Sequence, residues 1–101
     1  MSEHALVQSI LIEFGSLPTL RIWRSNTGAA VDRRGAMVRF GTPGQADISG
    51  IRLPAGQRVE IECKTKTGRQ TEEQRRWQAM IERFGGLYIL ARSLEDVRRS
   101  L

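Results

Sequence analysis

Apolar positions recur at helical spacing, then at alternating spacing, then at helical spacing again, and these changes of period mark out the elements. Leu6, Val7, Ile10, Leu11 and Phe14 share one stripe of a helix. Ser2 stands where an N-cap is needed, so the spacing predicts a first helix running to residue 14. Gly15 and Pro18 end it. Leu20-Arg21-Ile22-Trp23-Arg24 alternates apolar and basic side chains, as a half-exposed strand does. Ser25-Asn26-Thr27-Gly28 reads as a turn. Residues 29–41 carry Arg33, Arg34 and Arg39 with few structural cues, and read as a basic loop with a short strand at Met37–Phe40. A second core strand starts at Asp47-Ile48-Ser49-Gly50-Ile51, Pro54-Ala55-Gly56 turns the chain, and residues 59–64 form the best strand.

The helical period then returns. Thr71-Glu72-Glu73-Gln74 is a capping box, and Trp77, Met80, Ile81 and Phe84 follow at i, i+3, i+4 and i+7 as a core-facing stripe. Gln74 lies on that face, one turn earlier than Trp77. Gly85-Gly86 stops the helix. Residues 87–91 are a continuous apolar strand, and Ser93 with Asp96 caps a short last helix. The expected class is α/β in the order α-β-β-β-α-β, one domain over residues 1–101, with a mixed sheet flanked by helices. The helix between the last two strands demands a crossover, which pairs those strands in parallel.

Composition narrows the function classes. The chain of 101 residues has a formal net charge of +5, and Lys64 and Lys66 are its only lysines. Arginine binds phosphate with two parallel donors, so an Arg-rich surface suits a nucleic-acid backbone. Cys63 is the only cysteine and His4 the only histidine. That excludes an internal disulfide, a cysteine-built zinc site and paired-histidine catalysis, and it fits a reducing compartment. No signal peptide or membrane span is expected. The expected location is the cytoplasm of a bacterial or phage-infected host cell.

The candidate chemistry sits at the strand ends. Gly44-Gln45-Ala46-Asp47 precedes Ile61-Glu62-Cys63-Lys64. Strand side chains alternate, so Glu60, Glu62 and Lys64 point one way and Val59, Ile61 and Cys63 the other. A hairpin-like connection would bring Asp47 beside Glu62 and Lys64. Two carboxylates and an ammonium on one face can hold a divalent metal and activate water for phosphodiester cleavage. The plainer reading of Glu-x-Lys is a solvated ion pair. Glu3 falls near the middle of the first-helix stripe and faces inward, where a carboxylate needs a partner or a metal; its other reading is a helix-dipole residue of the first turn. The loop residues Arg33, Arg34, Arg39, Lys66 and Arg69 are the expected nucleic-acid contacts.

These motifs in this order resemble the VRR-NUC family, in its small stand-alone form, of the PD-(D/E)XK nuclease superfamily. The resemblance runs from Ser2-Glu3 through Arg24-Ser25-Asn26-Thr27-Gly28-Ala29, Phe40-Gly41-Thr42-Pro43-Gly44-Gln45-Ala46-Asp47, Ile61-Glu62-Cys63-Lys64, Gly68-Arg69 and Gln74 to Gly85-Gly86. It implies the PD-(D/E)XK core and a DNA phosphodiesterase dependent on Mg²⁺ or Mn²⁺. Asp47 and Glu62 would be metal ligands, with the Cys63 backbone carbonyl a third and Glu3 the first-helix acid. Lys64 would orient or deprotonate the attacking water, Gln74 would be the polar residue after the Glu-x-Lys strand, and Asn26 would join the DNA contacts. Ala46 departs from the family, which often has proline there.

The leading expectation is a structure-selective endonuclease of branched DNA such as four-way junctions. A chain this small has no room for a separate sequence reader, so recognition rests on backbone shape and charge. The alternatives are a flap or single-strand nuclease, a non-catalytic nucleic-acid-binding domain of the same fold, and a small structural or antitoxin-like protein. Two cuts on opposing junction strands lead to a homodimer, for which Trp23, Met37, Phe40 and Trp77 are candidate surface residues.

Overall fold

A computed structural model describes residues 1–26 and 28–101; Thr27, part of the expected turn after the first strand, lies outside the described residues. The elements are α1 (Glu3–Phe14), β1 (Leu20–Arg24), β2 (Gly28–Val31), β3 (Met37–Phe40), β4 (Ile48–Arg52), β5 (Gln57–Cys63), α2 (Glu72–Arg83), β6 (Leu87–Ala91) and α3 (Leu94–Ser100). Four strands form a mixed sheet in the order β1-β4-β5-β6, and β2 and β3 form a separate antiparallel pair. β1, β4 and β5 are antiparallel neighbours, whereas β5 and β6 are parallel and joined by α2. The parallel crossover is therefore present.

The fold is a compact α/β sandwich with helices on both faces of the sheet. Leu6, Val7, Ile10 and Phe14 of α1 and Val97 of α3 pack on Ile48, Val59, Ile61, Cys63, Ile89 and Ala91. Each fully buried aliphatic or aromatic side chain here contributes about 1.5–3 kcal/mol, which is what holds a twelve-residue helix that would be marginal alone. On the other face α2 sets Ile81, with Trp77 and Met80, against Ala46 and Tyr88. Ala46 is fully buried there. β5 is thus covered on both sides, and Glu60 and Glu62 are buried along with its apolar residues.

Three sequence expectations change. The expected short strand Met37–Phe40 is present as β3, but the stretch before it is not simply a basic loop: Gly28–Val31 pairs with β3 as β2 and makes a hairpin. Its tip is closed by Asp32, whose Oδ1 accepts from the backbone N–H of Arg34 and Ala36, and by Gly35 at φ 80°. This side-chain closure is a local turn signal hidden among arginines. Phe84 does not join the core face of α2; it is the C-cap and is 80% exposed. The chain doubles back so that the Gly86 N–H reaches the Ile81 carbonyl, and Gly86 lies so close that a Cβ there would come 2.6 Å from Ile81 Cγ2. Trp77 has less free surface than a partner-facing residue is expected to have: it is partly exposed, packs beside Ile81, and its indole N–H is bonded inside the fold.

Candidate active site

The β4–β5 register pairs Ile48 with Ile61, so the next residues outward, Asp47 and Glu62, face each other across the strand ends on one side of the sheet. Two contacts fix Asp47. Its carbonyl accepts from the Ser25 N–H at 2.8 Å, and its Oδ2 accepts from the Cys63 N–H at 2.8 Å. Behind it Ser25 and Ser49 share a buried hydroxyl–hydroxyl hydrogen bond of 2.6 Å. The loop before Asp47 lies against the first turn of α2: Gly44 has φ 81°, and a Cβ there would come 2.3 Å from the Glu73 carbonyl oxygen. Only glycine permits both the conformation and the approach.

Gln74 joins α2 to the site. Thr71 and Gln74 form the capping box in both directions, and Gln74 Nε2 also donates to Glu62 Oε2 at 3.1 Å. Lys64, just past β5, has its N–H on the Ala91 carbonyl and its Nζ 3.5 Å from Glu62 and 4.0 Å from Glu3. Glu3 is not buried inward as its place on the stripe suggests: it stays half exposed in the first turn of α1 and reaches Lys64 from the outer edge of the site. Asp47, Glu62, Lys64, Gln74 and Glu3 therefore converge, although they come from a loop, β5, α2 and α1. The Cys63 side chain points away into the core, and burial pushes its thiol up to about 12.

Glu60 and Glu62 are both buried acids on the same face of β5, and they differ in one respect. Glu60 is satisfied: Trp77 Nε1 donates to its Oε1 at 2.8 Å and Arg58 Nε to its Oε2 at 3.1 Å. Glu62 keeps one oxygen, Oε1, buried without a hydrogen-bond partner among the described residues. Burial, then the charge of Asp47, raises the Glu62 carboxyl to about 8, with Lys64 opposing. A buried carboxylate with a spare oxygen beside a second carboxylate is a place for a cation. Among the described residues no three Asp, Glu, His or Cys side chains form a metal-holding group. Two carboxylates with a backbone oxygen and water remain a sufficient donor set for a hard divalent ion.

A cleft of about 430 Å³ opens over Asp47, Glu62 and Gln74, with Arg39 and Phe40 on its rim. A second, of about 380 Å³, holds Arg24, Ser25 and Asn26 and shares Asp47 and Phe40. Of the expected DNA contacts, Asn26 and Arg39 thus lie at the site. Arg33 and Arg34 sit at the exposed hairpin tip, and Lys66 and Arg69 are exposed in the segment before α2. A larger cleft of about 660 Å³ lies at the opposite end of the strands, where no acid lines it among the described residues. Sequence reading missed Arg92. Its guanidinium donates to the carbonyls of Thr65, Lys66 and Gly68 and so pins the basic turn. Nothing local marks that role, because the contact spans more than twenty residues. No protein-family model matches this chain, and no curated protein matches it, so the site stands on its geometry.

Proposed function

We propose that this protein is a divalent-metal-dependent DNA endonuclease with a PD-(D/E)XK core, acting on branched DNA such as four-way junctions. The contrast between the satisfied Glu60 and the unsatisfied Glu62, opposite Asp47 and beside Lys64, carries this reading. Asp47, Glu62 and the Cys63 carbonyl would hold Mg²⁺ or Mn²⁺. In a strand the N–H and C=O of one residue face the same edge, and the Cys63 N–H faces Asp47. When bound, such an ion lowers the pKa of a coordinated water and polarises the phosphate. Gln74 holds the Glu62 carboxylate in place. Lys64 orients the attacking water and offsets charge gathering on the phosphate. Glu3 acts on the site through Lys64.

Arg24, Arg39 and Asn26 around the clefts, with Arg33 and Arg34 beyond them, suit phosphate contacts. On the same reading the protein works as a two-fold homodimer, with Trp23 and Ile51, exposed on one face of β1 and β4, as the partner surface. Sedimentation at micromolar protein, alone and with a junction, tests the dimer; a monomer in both removes it.

A cleavage panel of duplex, flap and four-way junction DNA with Mg²⁺ or Mn²⁺, beside a calorimetric metal titration, tests the function. Metal binding with preferential junction cutting is the expected result. Heat of metal binding without any cutting returns the chain to a non-catalytic binding domain, and flap or single-strand cutting alone moves the substrate class.

A further inference from the structure

Phe40 ends β3 and stands between the two clefts that share Asp47. Its ring lies over Gly28, where an added Cβ would come 3.1 Å from Cζ, and it remains 39% exposed. Arg39 lines the cleft on one side of the ring; Arg24 and Asn26 line the cleft on the other. An aromatic face between two clefts that share Asp47, one with Arg39 on its wall and the other with Arg24, is suited to a strand that parts there. Phosphates would run along the arginines and a base would lie on the ring. The hairpin as a whole fits that use. Both its faces are uncovered, with Val31, Met37 and Val38 exposed. A two-stranded ribbon gains little stability by itself, and the radius of gyration of 14.3 Å exceeds the roughly 13 Å of a compact chain this long.

Charge chooses the occupant. Arg33 and Arg34 at the tip join Arg24 and Arg39 at the base, while the one acid of the turn, Asp32, is engaged with its own backbone. Two copies of this chain meeting here would oppose arginine to arginine, whereas a nucleic-acid strand neutralises them.

We propose that Phe40 is a branch-point wedge: it stacks on the base next to the scissile phosphate and makes the site prefer DNA whose strands diverge. This rests on the nuclease reading for the position of the cut, and the test is independent of cutting.

The probes are a four-way junction and its linear duplex, each carrying 5-iodouracil, with protein in EDTA so that no cleavage occurs. Irradiation is expected to crosslink Phe40 to a branch-point base, read by mass spectrometry, and to give no Phe40 crosslink on the duplex. By anisotropy, Phe40→Ala should lose about tenfold in junction affinity, as removal of one stacked aromatic does, and stay within about twofold on duplex. Phe40→Trp should keep the junction preference. Equal weakening on both DNAs, unchanged junction affinity, or crosslinks only outside Phe40 would overturn the wedge. If the alanine variant is misfolded by circular dichroism, the crosslink in the unaltered protein decides alone. A protein that crosslinks at Phe40 yet cuts nothing with Mg²⁺ or Mn²⁺ upholds the wedge and overturns the nuclease. One that cuts junctions but crosslinks elsewhere does the reverse.

Discussion

Replacing Glu62 by glutamine should stabilise the metal-free protein above neutral pH and remove its response to metal. The carboxyl titrates near 4.5 in the unfolded chain and at about 8 in the fold, where burial and Asp47 oppose its charge. At about 1.36 kcal/mol per pKa unit the full displacement is worth about 5 kcal/mol. Water in the open cleft screens it, leaving roughly 2–3 kcal/mol. The sign follows from the proton count. Between pH 4.5 and 8 the folded protein holds a proton that the unfolded chain has released, so the contribution of this carboxyl to metal-free stability is whole below about pH 4.5 and is lost as pH rises through about 8. Glutamine keeps the shape and an oxygen for Gln74 but carries no charge. The difference between variant and wild type should therefore grow from near zero at pH 4.5 to roughly 2–3 kcal/mol at pH 9. Urea unfolding in EDTA, followed by circular dichroism, measures it directly; at about 4 °C or more per kcal/mol the same difference moves Tm by roughly 8–12 °C. Adding Mg²⁺ or Mn²⁺ should stabilise wild type at pH 9, less at pH 5 where the proton competes, and the glutamine variant at neither. Parallel pH profiles for the two proteins would refute the buried, unsatisfied carboxylate on which the site rests.

The remaining predictions use the same geometry. Asp47→Ala and Lys64→Ala should each lower cleavage at least about a hundredfold and leave junction affinity largely intact, measured by gel cleavage and anisotropy; near-normal turnover in a folded, metal-saturated variant would remove that residue from the site. Neutralising Arg33, Arg34, Arg39 and Arg69 together should flatten the salt dependence of DNA binding by about 0.9 per lost phosphate contact, read as the slope of log affinity against log salt. Gly44→Ala should cost roughly 2–3 kcal/mol, since it meets both a left-handed backbone and the Glu73 carbonyl; a urea midpoint equal to wild type would show that the loop moves freely. Arg92→Ala should speed amide exchange in residues 65–69 while changing global stability by less than about 1 kcal/mol, because its three carbonyl contacts are exposed. Unaltered exchange there would mean that the turn holds itself.

How much of this could be read in advance varies by residue. The stripe Leu6, Val7, Ile10 and Phe14, the Thr71–Gln74 capping box and the alternation along β5 all depend on local backbone repeats, and each is present in the structure. That Glu62 and Lys64 share a face while Cys63 enters the core follows from the same period of two. The hairpin at 28–40 was less legible, because its cue is a side chain bonding two nearby amides within a run of arginines. Phe84 failed for the opposite reason. Its spacing is right for the core, but the chain turns at Gly85 and brings Gly86 against Ile81, leaving Phe84 in solvent.

The sequence by itself determined which residues could do chemistry and which way most of them point, since period, caps and breakers act over a few residues. Only the tertiary structure decided which of them meet. Asp47 reaches Glu62 through strand register, Gln74 reaches it because a helix returns across the sheet, and Arg92 pins a turn more than twenty residues away. The difference between Glu60 and Glu62 belongs wholly to that level. Two glutamates one step apart on one strand face read alike in sequence, and only the packing of α2 gives Glu60 the Trp77 indole and leaves Glu62 an oxygen to spare. A buried charge is set by the partners that distant segments bring to it.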